Sequence, residues 1–145
     1  WRNGLLLEML GIPTAQSYAM IEERWGALRR RSYLLSEYID APQAWDIYED
    51  EQYAEESKTQ WAKKIYALFL LLKRSQISHG DLKAQNILCP VNGPLFIDLD
   101  GLKSSQNFKR FLYQFNKDIQ RFQISWPGKW KANPYFHKYF LLLSK

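Results

Sequence analysis

The 145-residue sequence predicts an α+β fold, with a small antiparallel sheet near its start and a mostly helical body after it. Three patterns carry that expectation. Ser17-Tyr18-Ala19-Met20-Ile21-Glu22-Glu23 and Arg31-Ser32-Tyr33-Leu34-Leu35-Ser36-Glu37-Tyr38-Ile39 are strand-like runs on either side of Trp25-Gly26, so they pair as a hairpin. Trp61, Ile65, Leu68, Phe69 and Leu72 fall at i, i+4, i+7, i+8 and i+11, one apolar helix face. A polar run, His79-Gly80-Asp81-Leu82-Lys83-Ala84-Gln85-Asn86, then separates that helix from two short apolar runs.

Taken in order, Asn3 to Leu10 is an apolar-rich helix tail, stopped by Gly11-Ile12-Pro13 with a Gly C-cap and a Pro beyond it. The hairpin follows, and Pro42 ends its second strand. Gln43 to Glu55 reads as an acidic, partly exposed helix. Ser57-Lys58-Thr59-Gln60 has the form of a capping box at the head of the long helix, which runs to Ser75. After the polar run, Ile87-Leu88-Cys89 and Leu95-Phe96-Ile97 read as short strands around the turn-rich Pro90-Val91-Asn92-Gly93-Pro94. Gln106 to Ile124 is a basic, aromatic helix that Trp126-Pro127-Gly128 breaks. Asn133-Pro134 has the N-cap and N1 chemistry of a last helix through Leu143.

Composition bounds the function. Hydrophobic content of 46% and aromatic content of 16% predict a folded chain. The one cysteine, Cys89, cannot form an internal disulfide, which suits a reducing compartment. The longest apolar run, Ile65 to Leu72, is far short of the roughly 20 residues that cross a bilayer. No signal peptide is visible in the sequence, which opens on Trp1 without a basic n-region or an initiator Met and so predicts a fragment of a longer chain. The net charge of +5 is unevenly spread. Glu37 to Glu56 holds eight acids and no base, whereas Gly101 to Lys145 holds nine Lys or Arg against one acid, Asp118. A basic end suits an anionic partner or simply a solvated face. No nucleic-acid recognition motif accompanies the charge, so nucleic acid is not expected.

The polar run carries the chemistry. Asp81 and Asn86 lie five residues apart, and Asp98 follows Leu88 by ten within Leu95-Phe96-Ile97-Asp98-Leu99-Asp100. Phosphoryl transfer uses that set: one carboxylate to receive the proton of an attacking hydroxyl, and an amide oxygen plus a second carboxylate to hold divalent metal on nucleotide phosphates. A nuclease or polymerase also uses carboxylates and metal, but gives Asp-Leu-Lys-x-x-Asn no role. Two His and one Cys, scattered along the chain, exclude a zinc-type site.

This order of elements resembles the C-terminal lobe of the protein kinase-like fold, and the His-Gly-Asp form, with Gly80 where eukaryotic protein kinases carry Arg, is similar to small-molecule and bacterial sugar kinases. Gly11-Ile12-Pro13-Thr14-Ala15, Leu35-Ser36-Glu37-Tyr38-Ile39 and Ile97-Asp98-Leu99-Asp100 together resemble the lipopolysaccharide kinase family, the Kdo and heptose kinases. The resemblance covers residues 1 to about 126. It implies residues 1–40 as a remnant of the N-lobe and 41–145 as the helical C-lobe. It implies an ATP- and Mg²⁺-dependent kinase acting on a sugar hydroxyl of the lipopolysaccharide inner core. Asp81 would be the base or orienting group, Lys83 a point charge by the transferred phosphate, and Asn86 and Asp98 the Mg²⁺ ligands. Glu37 and Ile39 would meet adenine through their backbone, above Leu88. His79 would pack beneath the loop and bond backbone, and Asp100 would assist the metal or cap the next loop.

The same resemblance implies an anionic glycolipid partner and a place in the cytoplasm or at the cytoplasmic face of the inner membrane. Lys109, Arg110, Lys117, Arg121, Lys129 and Lys131, with Trp126 and Trp130, would face that acceptor or the membrane. The Gly-rich phosphate loop and strand lysine of active kinases are absent from the sequence, and Glu8 lies too near its helix end to serve as that lysine's partner. They are expected before Trp1, so that this chain alone would hold ATP poorly and be inactive. An aminoglycoside-type or other small-molecule kinase, a protein kinase of the same fold, and a non-catalytic pseudokinase scaffold are the alternatives.

Overall fold

A computed structural model of the chain describes residues 1–126 and 133–143. Helix α1 (Arg2–Met9) packs Leu7 into the body and ends where Gly11 turns left-handed at φ +65°. Strands β1 (Ser17–Trp25) and β2 (Leu28–Ser36) form the expected antiparallel hairpin around Gly26, with Met20 opposite Leu34 and Ile21 opposite Tyr33. The second strand is shorter at its end than the sequence predicts, stopping at Ser36. The Glu37 N–H bonds the Gln16 carbonyl at 2.8 Å, and the chain then leaves the hairpin as a linker into the helical body.

The predicted helix from Gln43 to Glu55 is corrected to a shorter one, α2 (Ala44–Glu49). Gln43 and Asp46 cap it reciprocally, the Asp46 carboxylate accepting the Gln43 N–H at 2.8 Å. Asp50 ends it: Oδ1 accepts the Gln52 N–H at 2.8 Å, a local bond that competes with continued helix. Helix α3 (Glu55–Arg74) therefore starts two residues before Ser57. The capping box expected at Ser57–Gln60 does not form, because Ser57 already lies inside the helix. Glu55 and Glu56 instead place negative charge on its first turn, and Lys73 and Arg74 place positive charge on its last. Ile65, Leu68, Phe69 and Leu72 are buried as their spacing predicts.

Two short strand pairs frame the loop that follows, one expected around the Pro90–Pro94 turn and one too short to show in the sequence. Strand β3 (Ile77–Ser78) pairs antiparallel with β6 (Lys103–Ser104), and β4 (Ile87–Leu88) with β5 (Leu95–Phe96). Helix α4 (Phe108–Ile124), capped by Asn107 Oδ1 on the Arg110 N–H at 3.0 Å, buries Phe111, Phe115, Ile119 and Phe122. Each such side chain contributes about 1.5–3 kcal/mol. Asn133 caps a 3₁₀ turn, Pro134–Phe136, that leads into α5 (His137–Leu143). An aromatic cluster of Phe69, Phe122, Trp126 and Phe136 joins α3, α4 and this end, with ring centroids 5.0–5.8 Å apart.

Candidate active site

The His79–Asn86 loop is gripped from α4. Asp118 accepts the His79 N–H at 2.6 Å and the Gly80 N–H at 3.0 and 3.2 Å. It is 3% exposed, and burial pushes its carboxyl up while the two amide donors oppose that shift. One turn further on the same face, Arg121 Nη1 donates to the Gly80 carbonyl at 2.8 Å and to Asp81 Oδ1 at 2.7 Å. Gly80 itself has φ +85°, and a Cβ there would lie 2.2 Å from the Gly101 carbonyl oxygen. No side chain fits at the position where eukaryotic protein kinases carry Arg. The guanidinium beside Asp81 comes from α4 instead.

Four predicted residues converge on this loop. Asp81 Oδ2 accepts Lys83 Nζ at 2.8 Å and Asn86 Nδ2 at 3.2 Å. Asn86 Nδ2 also reaches the Asp81 carbonyl at 2.9 Å and Asp98 Oδ2 at 3.4 Å. The hydrogen bond from Lys83, with that from Arg121, holds the Asp81 carboxyl below its usual range against partial desolvation. A carboxylate held this way stays ionised and is a weak base. It serves better as the acceptor that orients a hydroxyl than as a strong proton abstractor. Asp98 is a non-glycine residue at φ +56°, the strained left-handed region that recurs at functional sites. Asn3 of α1 fixes the next turn by donating to the Leu99 carbonyl at 2.7 Å.

The donor set fits a hard divalent cation. Asn86 is buried and faces the Asp98 carboxylate, and a rotation of its amide exchanges Nδ2 for Oδ1 toward that partner. One carboxylate and one amide oxygen are few ligands for an all-protein cage, and no cluster of three or more His, Cys, Asp or Glu exists among the described residues. They are what Mg²⁺ takes when substrate phosphates complete its octahedron. Asp100 lines the same cleft but makes no side-chain hydrogen bond among the described residues, so it caps nothing.

His79 is fully buried against Phe96, ring centroids 5.2 Å apart. Its backbone N–H holds Asp118. Its ring faces the Ile97 backbone without reaching hydrogen-bond geometry, so neither ring nitrogen has a partner among the described residues. The expected packing beneath the loop is present, whereas the expected bond to backbone is replaced by the N–H bond to the Asp118 carboxylate. Desolvation lowers the imidazole pKa, outweighing the Ile97 backbone and the Asp98 and Asp81 charges.

Above Asp98 opens a cleft of about 430 Å³, within the range of small-molecule sites. Glu37, Ile39 and Leu88 all line it, together with Ile97, Asp98 and Asp100. The Ile39 N–H and C=O have no partner among the described residues, whereas the Glu37 N–H is spent on Gln16. A larger groove of about 830 Å³ shares Thr14, Glu37 and Ile39 with the cleft but holds none of Asp81, Asn86 and Asp98. Of these three, Asp98 lines the smaller cleft, with Asp100 beside it.

The basic third of the chain divides. Arg121 supports the His79–Asn86 loop, and Trp126 is 3% exposed, edge-on to Phe122 and stacked beside Trp45. The expectation that Trp126 faces a membrane is corrected: its indole is core. Lys129, Trp130 and Lys131 lie outside the described residues, as do Pro127 and Gly128 of the expected break. Sequence reading missed Asp118 as a structural anchor. The signal was present, a lone acid three residues before an Arg in an otherwise basic helix.

No curated protein matches the chain. Among solved structures, WaaP in complex with acyl carrier protein is similar at a TM-score of 0.70 and 19% identity, covering 99% of this chain. The chain spans 64% of the length of that relative. This likeness confirms the α+β, protein kinase-like fold, with its mostly helical lobe beneath a small sheet. The model of the lipopolysaccharide kinase (Kdo/WaaP) family matches residues 3–131, which include every residue of the site described above. The chain belongs to the lipopolysaccharide kinase (Kdo/WaaP) family.

Proposed function

We propose that this protein transfers the γ-phosphoryl group of ATP to a sugar hydroxyl of the lipopolysaccharide inner core, a Kdo or heptose. The observation that carries the reading is the meeting of Asp81, Asn86 and Asp98 through one amide nitrogen, at 3.2 and 3.4 Å, at the foot of a cleft lined by Glu37, Ile39 and Leu88. Residues 1–40 then serve as N-lobe elements and 41–145 as the C-lobe.

In this reading adenine lies against the Glu37–Ile39 backbone, above Leu88. Asn86 and Asp98 would hold Mg²⁺, which when bound would neutralise charge on the phosphates. Asp81 accepts a hydrogen bond from the acceptor hydroxyl and aims its oxygen along the line of the departing ADP. The hydroxyl proton passes to Asp81 as the new P–O bond forms. Lys83 stands beside that carboxylate as a fixed positive charge. The glycolipid acceptor places the protein at a membrane surface, and no helix of the described residues is long and apolar enough to cross one.

The test is phosphate incorporation into purified core acceptor by the protein in its full natural length, with ATP and Mg²⁺. Asp98→Ala is expected to abolish incorporation while leaving the fold intact by circular dichroism. Equal incorporation by wild type and Asp98→Ala would overturn the reading.

A further inference from the structure

Beside the catalytic loop, between β6 and α4, lies a third cavity, of about 220 Å³, that the reaction above does not use. Three cations line it: Lys103 on β6, and Lys117 and Arg121 on α4. Among the described residues, no carboxylate lies within salt-bridge distance of Lys103 or Lys117, and Lys117 Nζ rests 4.5 Å from the Tyr113 ring centroid. Arg121 spends one guanidinium nitrogen on Gly80 and Asp81. Ser78 Oγ approaches Gln114 Oε1 at 3.3 Å, and no acceptor among the described residues takes the Gln114 amide nitrogen. The one acid in the lining, Asp118, already has its oxygens bonded by the His79 and Gly80 amides. The cavity thus sets three cations and an amide donor against a single carboxylate already engaged by two backbone amides, which is the chemistry of an oxyanion site.

We propose that this cavity is the anion subsite of the acceptor: Lys103, Lys117 and Arg121 take a carboxylate or phosphate of the sugar substrate and so set its hydroxyl against Asp81. The assignment to an acceptor rests on the kinase reading; the anion chemistry of the cavity does not. Arg121 joins the two, because the guanidinium that lines the cavity is the one bonded to Asp81 at 2.7 Å. An acceptor anion on that guanidinium is fixed relative to the carboxylate that aims the hydroxyl. A neutral sugar gains no such register. The subsite therefore selects acidic or phosphorylated acceptors.

Calorimetric titration of the protein in its full natural length tests this with three probes: free Kdo for the carboxylate, a hexose 6-phosphate for the phosphate, and the neutral hexose. A non-hydrolysable ATP analogue is titrated in parallel. Lys103 and Lys117 are solvent-exposed, so the Lys103→Ala/Lys117→Ala variant is expected to melt like wild type. Wild type should bind one anion at least about tenfold tighter than the neutral sugar, and the variant should lose about tenfold or more of that affinity, the loss of one or two charge-assisted contacts. The anion whose affinity falls further identifies the recognised group. Equal affinity of wild type and variant for both anions, or no anion preference in wild type, overturns the subsite, and analogue binding in the same experiment leaves the kinase reading standing. Anion binding that falls in the variant while wild type binds no analogue upholds the anion site but overturns its assignment to a kinase acceptor.

Discussion

Asp118 is the anchor on which the geometry of the His79–Asn86 loop depends, and its removal has a calculable cost. Its carboxylate takes the amide hydrogens of His79 and Gly80 in a site only 3% exposed. Asp118→Ala leaves the buried His79 N–H without a partner, at about 1–3 kcal/mol, whereas the Gly80 N–H belongs to an exposed residue, can turn to water and loses only the net worth of its bond, about 0.5–1.5 kcal/mol. Relief of the carboxylate's own desolvation returns part of this, which the raised pKa of Asp118 records. The expected net loss is about 1–4 kcal/mol, a sizeable share of an ordinary domain's 5–15 kcal/mol. Asp118→Asn keeps one acceptor oxygen but turns an N–H toward a second donor, so about 1–3 kcal/mol is expected.

The raised pKa also sets the sign of a pH effect. A folded-state pKa above the unfolded 3.8 favours folding below pH 3.8 and loses that contribution as pH rises through the folded value. The stability gap between wild type and Asp118→Asn should therefore be widest in acid and narrow upward from pH 3.8. Urea unfolding followed by tryptophan fluorescence, with buried Trp126 as the reporter, measures all of this. Variants within about 0.5 kcal/mol of wild type would show that the loop does not depend on Asp118, and the reasoning would be wrong.

Further expectations follow from the same contacts. Gly80→Ala forces a Cβ to 2.2 Å from the Gly101 carbonyl at φ +85°, so the loop must shift; a loss above about 2 kcal/mol in urea unfolding is expected, with phosphoryl transfer falling as well. His79 has a folded pKa depressed below 6.5, so its contribution is present above pH 6.5 and lost as pH falls through the folded value. Unfolding free energy should therefore drop below pH 6.5 by at most about 1.4 kcal/mol per pH unit from this one proton, and a melt series in His79→Asn should lack that slope. Phe122→Ala removes the ring that meets Phe69, Trp126 and Phe136 edge-on, at about 3–5 kcal/mol by chemical denaturation.

The legible parts of this fold were those with strong local periodicity or special residues. The face of α3, the hairpin about Gly26, the Asn133-Pro134 start and the Asp81–Asn86–Asp98 set each announce themselves, because period, turn chemistry and side-chain type are local. The end of α2 and the start of α3 were misread because the Asp50 side chain takes the Gln52 N–H and ends α2 early, and α3 begins at Glu55, ahead of the Ser57 signal. Strands β3 and β6 were invisible because two residues carry no alternation; they exist only through pairing across the loop. Arg121 and Asp118 read as one more surface base and a stray acid. Their roles come from contacts some forty residues away in sequence, which no local pattern encodes. Trp126 was misplaced for the same reason, since its burial is decided by Tyr48, Phe122 and Phe136.

The central claim is that Asp81 orients the attacking hydroxyl in a phosphoryl transfer. The most direct measurement is the transfer rate to core acceptor at saturating Mg²⁺-ATP, wild type against Asp81→Asn, with ATP-analogue affinity measured beside it. The account predicts a fall of about a hundredfold or more in rate with nucleotide affinity retained. An unchanged rate in Asp81→Asn would contradict it.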